Sequence, residues 1–143
     1  MSKSTELLEF VYQNAKMGET ALPLVIGMVS RPDLRTALGG QLMEYRAISG
    51  EAKAEMQRRG AKPKEPGGMK SAAAEAALRL NTLTDQSSGH IAEMMIRGST
   101  MGTVQMQKRI NACRYSAEPE TLTLAERLLK TEENNIEQMK AFL

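Results

Sequence analysis

Tryptophan is absent, aromatic residues make up 3% of the chain, and cysteine and histidine occur once each in 143 residues. The scarcity of aromatic side chains removes the material from which strands and base-stacking surfaces are usually made. A lone Cys113 excludes an internal disulfide, and with no His/Asn partner set for a thiol nucleophile it reads as a small apolar residue in a reducing compartment. A lone His90 excludes histidine-rich metal sites. Charge of one sign is lacking too: 19 basic against 17 acidic residues leave a net +2, too slight for a nucleic-acid footprint. The longest uncharged stretch, Thr20 to Ser30, falls short of the ~18 residues that a membrane span needs, and Met1 to Glu6 shows no signal-peptide pattern. A cytoplasmic protein with neither nucleic-acid nor membrane partners is the expectation.

What is present is helical. Hydrophobic residues make up 41%, and methionine alone numbers 11, so Leu, Ala, Ile, Val and Met must build the core of one domain spanning residues 1–143. From about Thr5 to Val29, with Ser4 as cap, Leu8, Val11, Ala15, Gly18, Leu22 and Val25 share a helix face. Pro23 lies inside this pattern and should kink the helix rather than end it. Ser30, Pro32 and Asp33 mark the next start, and the stripe of Leu34, Leu38, Gln41 or Leu42, Tyr45, Ile48, Ala52 and Met56 runs to a stop at Gly60. Gly39 and Gly40 within it suggest close approach of another helix. Ala61 to Gly68 (AKPKEPGG) breaks the helical pattern, and the basic residues Arg58, Arg59, Lys62 and Lys64 read as a solvated turn.

Met69 to Leu83 predicts a short accessory helix. A third long helix follows from about Ser88 to Arg114, capped by Ser87 or Ser88. The last begins near Glu118-Pro119 and repeats every seven residues, one row being Leu122, Leu129, Ile136 and Leu143 and the other Ala125, Glu132 and Met139. A carboxylate at Glu132 therefore falls in a core seam. Four long helices and one short one predict an all-α, antiparallel four-helix bundle.

Thr131 to Lys140 (TEENNIEQMK) looks like the fourth helix of the ferritin-like superfamily. Glu19, the run Leu42 to Arg46 (LMEYR), Arg58 to Pro63 (RRGAKP), a Gly-Gly segment before a short helix and the Arg97-Gly98 pair look like small bacterial ferritin-like bundles of unknown function. The resemblance implies a di-iron centre of one Glu from each of two helices and Glu-x-x-His from each of the others. On that pattern Glu19, Glu44 and Glu132 are the candidate metal ligands. Three residues after Glu44 stands Ala47, however, and three after Glu132 stands Asn135, so both imidazoles are missing.

His90 and Glu93 share a face, but they lie roughly 16 Å and 12 Å along the helix from its midpoint near Met101, whereas the three glutamates sit near their own midpoints. Three carboxylates without nitrogen suit Mg, Ca or Mn better than oxygen-activating iron. The bland alternative has each carboxylate satisfied by Lys16, Arg46, Lys108, backbone or water. A phosphotransfer role for His90 lacks the lysine that such bundles carry a few residues on. Met94, Met95, Met101 and Met106 on one helix suit either a core or an adaptable partner surface.

The expected protein is thus a non-catalytic ferritin-like bundle with a degenerate metal centre and no cofactor. It would act as a homo-oligomer, a dimer by the superfamily's habit, or as a protein-binding partner. The alternative is a carboxylate-only iron or manganese protein.

Overall fold

The computed structural model describes residues 2–64 and 85–143, and all regular structure among them is helical. The expected accessory helix at 69–83 lies outside the described residues. Four helices run Lys3–Met28 (α1), Pro32–Arg58 (α2), Ser88–Cys113 (α3) and Pro119–Lys140 (α4).

Local chemistry sets the ends. Ser2, two residues earlier than expected, caps α1 by accepting from the Thr5 amide. Ser4 does something else: its buried hydroxyl accepts from the Glu118 amide across 114 residues, so it supports the start of α4. α1 continues through Pro23 and has no basic residue in its last turn. Arg35 of α2 supplies that charge, donating to the Ile26 and Val29 carbonyls at 2.8 Å each. Arg31, not Ser30, is the residue before α2, and Asp33 accepts from the Leu34 amide and the Arg31 guanidinium.

α2 stops as expected at Gly60, whose φ of 71° is left-handed. The Gly60 amide donates to Gln57 and the Ala61 amide to Met56, the paired bonds of a glycine-terminated helix. Ser87 caps α3 by accepting from the His90 amide.

Contacts at the helix ends give the course of the chain. Ser4, Arg59 and Glu118 meet at one end, while Gly89 approaches Phe142 and Leu143, and Arg31 lies over Phe142, at the other. α1 and α4 therefore run one way, α2 and α3 the other, so that α2 ends and α3 begins at opposite ends of the bundle. This is a four-helix bundle of two antiparallel hairpins in which the second and third helices run parallel.

The core fills the space between the hairpins with Leu7, Leu8, Val11, Ala15 and Leu22 of α1, Leu34, Leu38, Ile48 and Met56 of α2, Met106 and Ile110 of α3, and Leu128 and Met139 of α4. Each of the leucine, isoleucine, valine and methionine side chains contributes roughly 1.5–3 kcal/mol of burial. On α4 the buried stripe is Thr121, Ala125, Leu128, Glu132, Asn135 and Met139. The row containing Glu132 is as expected. The other row lies one residue earlier than expected, with Leu122, Leu129 and Ile136 half-buried and Leu143 exposed. The seam accepts Asn135 because Tyr45 bonds it, so apolarity alone pointed to the wrong row.

Candidate functional site

Between α1 and α3 the packing is sparse compared with that inside each hairpin. Small residues face each other there: Gly18 and Ala21 on α1, and Gly98, Ser99 and Gly102 on α3. A cleft of about 680 Å³ lies between the two helices at this level. Its walls include Met17, Leu22 and Val25 from α1 and Ile91, Met94, Met95 and Met101 from α3. Met56, Met106 and Met139 fill the core. Described methionines thus stand in the core, in the cleft and, as Met43 does, on the surface, and Met101 is 65% exposed.

The floor of the cleft is polar. Glu132 reaches it from α4 with 8% of its surface exposed, beside Tyr45 of α2 and Ser99 of α3. Both hydroxyls hydrogen-bond with the Glu132 carboxyl, and the Asn135 amide donates to the Tyr45 oxygen at 3.0 Å. Burial pushes the Glu132 carboxyl above its ordinary range, against the pull of the two hydroxyls. Burial, and then the neighbouring Glu132 charge, push the Tyr45 phenol far above its own. The phenol therefore serves as a neutral donor.

Two glycines make this floor. A Cβ on Gly18 would stand 2.7 Å from the Tyr45 ring, and one on Gly102 would stand 3.2 Å from a Glu132 oxygen. Close approach thus occurs at Gly18 and Gly102. At Gly39 and Gly40, where the sequence suggested it, nothing lies within 4 Å of a Cβ.

The three candidate metal ligands have separate surroundings. Glu19 accepts from Ser49 at 2.9 Å and pairs with Lys16 at 3.6 Å and Arg46 at 3.9 Å. Glu44 pairs with Arg127 at 3.0 Å, and Arg127 also holds Glu51. Glu132 has the hydroxyls described above. Among the described residues no three His, Cys, Asp or Glu side chains are grouped closely enough to hold a metal ion. Lys16 and Arg46 were foreseen as partners; Lys108 was not needed, and Arg127, Tyr45 and Ser99 were missed. Ser99 had a legible signal, since it stands one turn from Gly102 on the same face.

His90 and Glu93 form an exposed pair at 3.8 Å near the start of α3, where Glu93 also binds Arg97. Arg58 ends α2 rather than lying in a loop; it pairs with Glu55, and Arg59 binds both Glu55 and Glu118. These ion pairs tie down the end of the helix and leave Arg58 and Arg59 engaged.

No family model matches the chain, and no curated protein matches it. A solved structure does: a DUF305 fragment from Deinococcus radiodurans, 17% identical, covers 99% of this chain and 95% of that one with a TM-score of 0.77. At that identity the likeness shows the fold alone. Among the described residues no helix is long and apolar enough to cross a membrane.

Proposed function

We propose that this chain is a non-catalytic binding protein of ferritin-like outline, and that the cleft between α1 and α3 receives an apolar partner group. The observation that carries the reading is the methionine-walled space at mid-height. Methionine side chains are unbranched and polarizable and adapt to varied apolar shapes. The volume falls within the span of ligand sites, roughly 300–1,000 Å³.

The helix directions, with α2 and α3 parallel, support the ferritin-like relation, because such bundles share them. The separate engagement of Glu19 and Glu44 supports a degenerate centre over a carboxylate-only iron or manganese site. A homodimer belongs to the same reading, with exposed Leu24 and Met43 as apolar side chains that a second copy would cover. A cytoplasmic location fits the single buried thiol of Cys113.

Gly98 provides the test. It lines the cleft, and nothing lies within 4 Å of a Cβ placed on it, so Gly98→Leu adds bulk to the cleft from a position with open space around it. Nile red, a neutral fluorescent dye, should bind the natural protein saturably with a blue shift, and Gly98→Leu should abolish this. Binding unchanged by the substitution, or no binding at all, would contradict the reading.

A further inference from the structure

We infer that the cleft takes a small amphiphilic cation, an alkyl chain ending in a primary ammonium, with the ammonium seated on the Glu132 carboxylate. The inference rests on the cleft being the binding site and adds the charge of its occupant.

Charge complementarity carries it. Among the described residues Glu132 has no cationic partner, and its neighbours on the cleft floor, Tyr45 and Ser99, are neutral hydroxyls. The cations nearest mid-height are engaged elsewhere: Lys16 and Arg46 on Glu19, Arg127 on Glu44 and Glu51, and Arg97 on Glu93. A buried carboxylate without a countercharge is costly, and an arriving ammonium removes that cost where a neutral headgroup does not. An anionic headgroup would add like-charge repulsion in a site shielded from water.

The methionine walls define the rest of the occupant. They offer dispersion contacts to a flexible hydrocarbon chain. Away from Glu132, Tyr45 and Ser99 the polar lining is Asn14, Gln105 and Arg97, and the Arg97 charge is paired with Glu93. An ammonium has three donors, enough to bond a Glu132 oxygen and the Ser99 hydroxyl together. Gly102 lets the carboxylate lie close against α3, since a Cβ there would stand 3.2 Å from a Glu132 oxygen.

The experiment compares decylamine, decanol and decanoate by isothermal titration calorimetry, below their micellar concentrations, on the natural protein, Glu132→Gln and Gly98→Leu. The natural protein should bind decylamine about tenfold or more tighter than decanol, with decanoate weakest. Glu132→Gln should bring decylamine down to the level of decanol, and Gly98→Leu should weaken all three. Equal binding of amine and alcohol by the natural protein, or an amine preference that survives Glu132→Gln, overturns the inference and leaves the cleft standing as an apolar site. Failure of all three ligands to bind overturns both. The ranking on the natural protein decides the matter even if Glu132→Gln fails to fold.

Discussion

Glu132 holds a carboxyl in the core seam with two hydroxyls and no cation among the described residues, and this has a consequence for pH. Its pKa in the folded chain lies above the ordinary value of 4.5, so between the two values the folded state keeps a proton that the unfolded chain has already released. Stability from this group is complete below the unfolded pKa and is lost as pH rises through the folded one. Glu132→Gln should therefore be more stable than the natural protein at neutral pH, with the gap closing as pH falls to about 4; urea denaturation at several pH values checks it. Tyr45→Phe acts oppositely. It strips a donor from Glu132 and an acceptor from the Asn135 amide, and should cost about 1–3 kcal/mol in the same measurement. The sequence disclosed Glu132 as buried because a seven-residue repeat carried it inward. Tyr45 and Ser99 were not legible as its partners, since their meeting depends on how three helices are placed around one level.

At the scale of the helices, the same residue type has opposite meanings at two positions. Gly18→Ala would press a methyl group against the Tyr45 ring at 2.7 Å and should destabilise by about 1–3 kcal/mol, despite the better helix former. Gly98→Ala meets nothing within 4 Å and should stabilise by roughly 0.5–1 kcal/mol, as helix propensity alone dictates. Thermal melts of the pair separate close packing from propensity. Ser4→Ala should cost about 1 kcal/mol by leaving the Glu118 amide without its acceptor. Helix bounds were legible nearly to the residue where local signals act alone, as at Gly60 and Pro119. The caps were less so: Ser4 looks like a cap by spacing, but its partner lies at the far end of the chain. Glycine roles were least legible, because Gly39 and Gly18 differ only in what stands opposite them.

For the whole molecule, the bundle is held together by two tight hairpins, and the packing between α1 and α3 is sparser than inside either hairpin. The apolar periodicity of the sequence was enough to predict the helical fold, because each long helix must bury one stripe. It could not predict the cleft, which arises where small residues on two distant segments coincide. The resemblance to di-iron bundles put Glu19, Glu44 and Glu132 at one height, and the structure keeps them near mid-bundle while giving each its own partners.

The central claim is that these three carboxylates act separately and hold no shared metal. Elemental analysis of protein purified with iron and manganese supplied tests it most directly. Metal well below one ion per chain, unchanged in Glu132→Gln, is the predicted result; stoichiometric iron or manganese that disappears with Glu132→Gln would contradict it.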